Sequence, residues 1–422
     1  MAAVLAIWIF TRTAFVLVYT KVVKAPDFGG VFTDVELYHR WSDALLDWQI
    51  PVGDPMWQYP PGAAVVFVTL RHLGGDSVGG YEATFFVAAL LADLLILLAL
   101  LRLGRGNGLL LGAAAWAVVV PCLNLLTYAR YDIFVTASAV VALAATVRRP
   151  VVAGGVMAIG GLVKVWPVLL LISARPLRGL RPVLTGFVAT LAVLGGALTL
   201  AFAGGWSGFT NNQSDRGLQI ESIGASPLVL ARLWDETITV GYVYGAMEFQ
   251  HPYVRAATVV LPVLTLAGLG LLALWWLVRG RRLAWTATLG FDVALLAVLV
   301  SVLTSRVFSP QYMLWLVGVA AVCLTRRDTT QRVTAVLILV ATGVTSVLFP
   351  WFYEHVSADP YWQGTALLLV RNALVVVALG VGIAALLRAA GKAAADSGTN
   401  TNTGTGVDDA GAGVPSVSVL PS

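Results

Sequence analysis

Asp34 in FTDVELYHRW (32–41), Arg130 and Asp132 in YARYD (128–132), Lys164 in GLVKVWP (161–167) and Arg306 in TSRVFSPQY (304–312) are ionisable residues scattered through an otherwise apolar chain. A carboxylate can take a proton from a hydroxyl, and cations or helix N-termini can stabilise a phosphate as it leaves. Together those chemistries fit group transfer from a phosphate ester. Thr33 and Glu36 have the spacing of a capping box, which predicts a helix whose first turn holds Asp34, where the dipole favours an acid. Leu37, Trp41, Leu45 and Trp48 share one face of that helix. The stripe predicts a helix lying along a membrane interface with its tryptophans at headgroup depth. Ser309 and Pro310 read as N-cap and N1 of a later helix, aiming a positive dipole end the same way as Arg306.

The elements that must position these residues follow from composition. Of 422 residues, 58% are hydrophobic and 12% charged, and the mean hydropathy is +0.83. Soluble domains are far less apolar, so an all-α multi-pass membrane protein is predicted. The net charge of +5 comes from arginine clusters in short connections, which report orientation rather than nucleic-acid binding. Cys122 and Cys323 fall in or beside apolar segments and read as small hydrophobic residues. The opening apolar run has no basic leader, which predicts a retained first span.

Spans are predicted over 2–20, 81–101, 108–126, 131–147, 181–203, 253–278, 284–304, 310–324, 332–350 and 363–388. The basic clusters agree on a cytoplasmic side only if 151–174 is a re-entrant hairpin, bent at Gly160–Gly161, and 59–73 a short outer-face element. The domain plan is then a transmembrane unit over 1–390 with outer loops at 21–80, 204–252 and 351–362. A disordered cytoplasmic tail is predicted over 391–422.

On this topology the polar motifs gather at the outer face, whereas a transporter should show polar groups along a path open to both sides. Lys164, near the hairpin bend, is costly there unless it meets an anion or a wet cavity. Further candidates are Tyr59 in WQYPPG (57–62), Arg216, Gln219 and Glu221 in DRGLQIES (215–222), Gln311, and His355 in WFYEH (351–355). Ser226–Pro227 reads as another short helix start. Arg12, Asp93, Asp292 and Arg371 are intramembrane charges predicted to pair with one another. No P-loop, dinucleotide fingerprint, HExxH or Cys/His metal spacing is present in the sequence, and no outer-face DxD.

FTDVELYHRW, WQYPPG, YARYD, GLVKVWP, DRGLQIES and RVFSPQYMLWL, in this order over residues 1–388, resemble the polyprenol-phosphate-sugar-dependent glycosyltransferases of the GT-C class, specifically glycosyltransferase family 87. The resemblance implies a GT-C-type fold of about ten spanning helices with a re-entrant hairpin and outer-face interfacial helices. It also implies a polyprenyl-phosphate sugar donor, a lipid-linked glycan acceptor and a site at the outer face of a bacterial plasma membrane. Relatives transfer mannose in α-1,2 linkage during phosphatidylinositol-mannoside and lipoglycan assembly, and others transfer arabinofuranose. By the resemblance Asp34 is the general base of an inverting displacement. Lys164, Arg306 and Arg130 are assigned to the donor phosphate. Tyr59, Asp132, Arg216, Gln219, Glu221, Gln311 and His355 are assigned to sugar or acceptor contacts, with no metal or other cofactor. A lipid-linked flippase using the same cations is the alternative from another class.

Overall fold

The computed structural model describes residues 1–24, 30–106, 109–203 and 205–399. Among these, six helical stretches are long and apolar enough to cross a membrane: Ala2–Tyr19 (α1), Val78–Arg105 (α4), Leu111–Tyr128, Leu180–Ala201, Tyr253–Val278 (α12) and 362–391. The third is α5 (Leu111–Val119) passing into a 3-10 stretch, Val120–Tyr128, and the fourth is α8 (Leu180–Thr190) joined to α9 (Gly196–Ala201) through a π-turn. Shorter apolar helices are α3 (Gly62–Gly74), α6 (Asp132–Thr146), α7 (Pro150–Val163), α13 (Ala287–Leu303), α14 (Tyr312–Cys323) and α15 (Arg332–Leu348). Helices α13 and α14 are buried on nearly every side. They are walled by other helices, whereas α12 exposes Val259, Val263, Leu266 and Leu271, an apolar surface suited to lipid. The last helix, α17 (Trp362–Thr399), continues past residue 391, where the tail was predicted to begin. The rest of that predicted tail lies outside the described residues.

Helix α2 (Thr33–Leu46) starts where predicted but not for the predicted reason. Phe32 is the N-cap and Thr33 is already helical. The Thr33 hydroxyl donates to the Gly30 carbonyl at 2.7 Å, so no capping box forms. Asp34 still occupies the first turn. The apolar stripe also has another purpose, because Leu37, Trp41 and Leu45 are buried in the protein core and only Trp48 is largely exposed. Trp41 donates to Asp54 at 2.8 Å, and Tyr38 stacks on Phe67 of α3 with ring centres 4.3 Å apart. The helix is therefore packed by its aromatic face onto α3 rather than resting that face on lipid.

Segment 150–173 does double back, but its bend is at Lys164 and not at the glycines. Lys164 is extended (φ −155°, ψ 131°) between α7 and a 3-10 stretch, Trp166–Ser173. A Cβ on Gly160 would meet Pro167 at 3.1 Å, and one on Gly161 would meet Val168 at 2.9 Å. Residues seven apart on a straight helix lie about 10 Å apart, so the two halves are folded against each other. The glycines let them touch, and Lys164 is left at the tip. Gly62, ending the PPG turn, approaches the Leu162 backbone with no room for a side chain. This contact seats α3 against the hairpin.

Region 205–252 contains the short helix expected at Ser226–Pro227, α11 (Ser226–Ala231), and structure that its mixed polarity concealed: α10 (Gly205–Ser214) and a hairpin of β1 (Thr239–Val243) and β2 (Ala246–Gln250). Tyr244 and Gly245 form its two-residue turn with φ of +52° and +74°, the sign pattern of a type I′ turn. Leu218, Ile220, Val229, Ile238 and Phe249 build a second apolar core with Leu348, Val356 and Leu368. It joins the hairpin to α17 and to the short α16 (Glu354–Ser357).

Of the four intramembrane charges, only Arg12 and Asp93 pair, at 2.7 Å. Asp93 also accepts from Trp116 (2.6 Å) and Tyr128 (2.8 Å), tying α1 to α4, α5 and the following 3-10 stretch. Asp292 is instead satisfied by Thr329 and Thr330, and Arg371 donates to the Glu221 carbonyl at 2.8 Å. Neither lies within reach of the other, because Asp292 faces the 329–330 turn and Arg371 the 218–222 segment.

Candidate active site

Asp34, Tyr38, Tyr59, Asp132, Lys164, Arg216 and Gln311 line one polar cavity of about 90 Å³, to which Gln58, Gln213, Tyr244 and Tyr312 also contribute. They come from several distant parts of the chain. The first turn of α2 supplies Asp34, the WQYPPG turn Tyr59, the start of α6 Asp132, the hairpin tip Lys164, and the β-turn Tyr244.

Two carboxylates of this space each hold a cation, of which Lys164 lines the cavity and Arg130 does not. Arg130 Nε lies 2.9 Å from Asp34 Oδ2, while its Nη1 donates to the Val31 carbonyl at 2.7 Å and the Ala129 carbonyl at 2.9 Å. Asp34 is 29% exposed and Arg130 12%. The arginine thus pins the segment entering α2 to the junction before α6. In the second pair Lys164 Nζ lies 2.7 Å from Asp132 Oδ1, which also accepts from Trp315 at 2.8 Å. The ammonium sits 4.7–5.0 Å from the ring centres of Tyr131, Tyr312 and Trp315, an aromatic cradle that favours a cation. An ammonium has three donors, and Asp132 takes one of them.

Burial and, next, the charge of Asp34 push the Tyr59 phenol well above its usual value; burial, Tyr59 and Asp34 do the same for Tyr38. Both stay neutral and act as hydrogen-bonding walls. Asp34 and Asp132 remain as the bases of the cavity. Asp132 is buried and committed to Lys164 and Trp315, whereas Asp34 is open to the space.

Besides Arg130, four predicted site residues do not line this cavity. Arg306 donates to the carbonyls of Arg216 (2.6 Å) and Gln213 (2.7 Å), holding the 213–216 turn, and lines the neighbouring groove rather than this cavity. Gln219 is buried between Glu221, the Ser309 hydroxyl and the Phe308 amide. Glu221 is buried beside Arg371, and burial pushes its carboxyl up to about 7. His355 is half-buried and packs between Phe352 and the exposed Tyr361 at the edge of the second core. Nor do Ser309 and Pro310 cap α14, which begins at Tyr312 with Gln311 before it. The Ser309 hydroxyl accepts from Gln219 instead.

Tyr38, Gln58, Gln213 and Tyr244 were missed. Tyr38 and Gln58 lie inside motifs already singled out, FTDVELYHRW and WQYPPG. Tyr244 needed the hairpin, whose only local signal is a glycine after alternating residues. Next to the polar cavity lies a wider groove of about 380 Å³ lined by Pro262, Thr265 and Leu266 of α12 and Ser301 and Thr304 from the end of α13. The two spaces share Gln213, Arg216 and Val307.

A family model described as glycosyltransferase family 87 matches residues 57–310. The chain belongs to that family. The matched stretch carries Tyr59, Arg130, Asp132, Lys164, Arg216, Gln219, Glu221 and Arg306, while Asp34, Gln311 and His355 lie outside it. No curated protein and no solved structure is significantly similar to this glycosyltransferase. Membership in the family makes the molecule a membrane glycosyltransferase and sets aside the flippase alternative.

Proposed function

We propose that this glycosyltransferase moves a sugar, in the first instance mannose, from a polyprenyl-phosphate donor to a lipid-linked glycan, with Asp34 as the general base. The observation that carries the reading is adjacency. A small polar cavity holding Asp34, Lys164 and Arg216 shares Gln213, Arg216 and Val307 as walls with a groove beside the lipid-suited surface of α12. A donor with a sugar phosphate on an apolar chain needs both environments side by side.

In this reading the acceptor hydroxyl gives its proton to Asp34 as its oxygen bonds to the anomeric carbon. The bond from that carbon to the phosphate oxygen breaks in the same displacement, and the phosphate leaves with the electron pair. Lys164 and Arg216 face the space where that charge develops. Arg130, engaged with Asp34, orients the base and does not hold the phosphate. Arg306 supports the phosphate pocket indirectly, through the turn that carries Arg216. One base suffices for inversion, so a β-linked mannosyl donor gives an α-linked product. An outer-face cavity with cytoplasmic termini is part of the same proposal, supported by the basic clusters under the positive-inside rule.

Purified protein incubated with polyprenyl-phosphate mannose, or with the arabinofuranose donor, and a lipid glycan acceptor decides this by mass spectrometry. A hexose added in α linkage from the first donor alone supports it. A pentose added from the second alone replaces mannose by arabinofuranose.

A further inference from the structure

Gln219, assigned by resemblance to sugar or acceptor contacts and found buried, still reaches the cavity through Ser309. Three hydrogen bonds join it to the 306–309 segment. Its backbone N–H donates to the Arg306 carbonyl at 3.0 Å, its Oε1 accepts from the Phe308 amide at 2.7 Å, and its Nε2 donates to the Ser309 hydroxyl at 2.9 Å. The Nε2 also donates to Glu221 Oε2 at 3.1 Å. Within the clamped segment Val307 lines both the cavity and the groove, and Ser309 lines the cavity.

The orientation of the Gln219 amide follows from its partners. A backbone N–H only donates, so the atom facing Phe308 is the oxygen and the nitrogen faces Ser309. Ser309 Oγ is therefore an acceptor from the protein. A hydroxyl carries one proton beside its lone pairs, and the proton of Ser309 has no acceptor among the described residues. Gln219, 3% exposed, engages the hydroxyl from inside the protein, which leaves its donor side for the cavity whose wall Ser309 forms.

We infer that the Ser309 hydroxyl, held in this sense by Gln219, donates a hydrogen bond to the phosphate of the lipid-linked sugar donor. The inference rests on the glycosyl-transfer reading and adds to it a neutral residue that touches the leaving group. A substrate whose apolar chain lies in the groove and whose sugar points to Asp34 has its phosphate between them, at the wall formed by Gln213, Arg216 and Val307. Ser309, two residues beyond Val307, lies on the cavity side of that wall. A phosphate oxygen only accepts, so it suits a hydroxyl fixed as a donor, and a hydrogen bond to an anion is stronger than one to a neutral sugar hydroxyl.

The test is steady-state transfer in liposomes from polyprenyl-phosphate mannose to octyl α-mannoside, with polyprenyl phosphate lacking the sugar as competing probe. Wild type, Ser309→Ala and Ser309→Thr are compared. In Ser309→Ala the Ki of polyprenyl phosphate and the KM of the sugar donor should each rise about tenfold, with acceptor KM and melting temperature unchanged. Ser309→Thr, which keeps the hydroxyl, should recover most of the loss. An unchanged Ki in Ser309→Ala, with wild type active, overturns the assignment alone, and a sugar-donor KM that rises without it moves the hydroxyl to the sugar. Active wild type that polyprenyl phosphate does not inhibit overturns it too. So does an acceptor KM that rises as much as the Ki, or a Ser309→Thr variant no better than Ser309→Ala, either of which marks a packing role. Wild type inactive with mannose and arabinofuranose donors alike overturns both the assignment and the transfer reading.

Discussion

Asp34 and Arg130, ninety-six positions apart, meet at 2.9 Å, and the arginine also binds the backbone on both sides of that meeting point. The candidate base is therefore held from outside its own helix. Its cation belongs to the segment that also supplies Asp132, so the two carboxylates of the cavity are positioned by one short stretch, YARYD.

Removing the base alone should silence transfer. Asp34→Asn is expected to lower kcat by about 10²–10⁴, the range of general base catalysis, with unchanged thermal stability. Radiolabel transfer from polyprenyl-phosphate mannose in membranes checks it, and transfer at the wild-type rate would retire Asp34.

Arg130 separates an orienting role from a phosphate-binding one. If it orients Asp34, Arg130→Gln lowers kcat about tenfold or more while donor KM moves little, and Arg130→Lys restores part of the loss. A rise confined to donor KM would return Arg130 to the phosphate.

Glu221 makes stability depend on pH. Its carboxyl is pushed from 4.5 to about 7, chiefly by burial. Between those values the folded protein keeps a proton that the unfolded chain has released. The unfolded state binds fewer protons, so stability present below about pH 4.5 is lost as pH rises towards about 7 and levels off above it. Thermal unfolding at pH 5 and pH 8 should show a Tm lower by a few degrees at pH 8 in wild type. In Glu221→Gln that difference should largely disappear.

The Arg12–Asp93 pair is a scaffold test. Removing one partner leaves the other charge buried, a cost of about 3–5 kcal/mol, so Asp93→Ala should fall sharply in detergent melting temperature and yield. Replacing both partners, as in Arg12→Met with Asp93→Leu, should recover much of the loss. A double variant as unstable as Asp93→Ala would show that the Trp116 and Tyr128 bonds carry the junction instead.

Apolar run length alone determined that this chain is helical and membrane-bound, because hydrocarbon admits few alternatives. The order of its polar motifs was enough to reach the family. Sequence also picked out most of the charged residues that reach the cavity, since an intramembrane or first-turn charge needs a reason wherever it falls. It could not decide what each charge meets. Arg130 and Arg306 look alike in the chain, yet one meets a carboxylate and the other three backbone carbonyls. Glycines at 160 and 161 suggested a bend but serve contact, and the bend fell on Lys164, whose ammonium finds Asp132 only across thirty-two residues. The capping spacing at Thr33 and the tryptophan stripe of α2 were overruled by packing, for the same reason. Local patterns express what a segment prefers in isolation, whereas the partner that satisfies a charge or covers an apolar face comes from elsewhere in the chain and exists only once the helices have assembled.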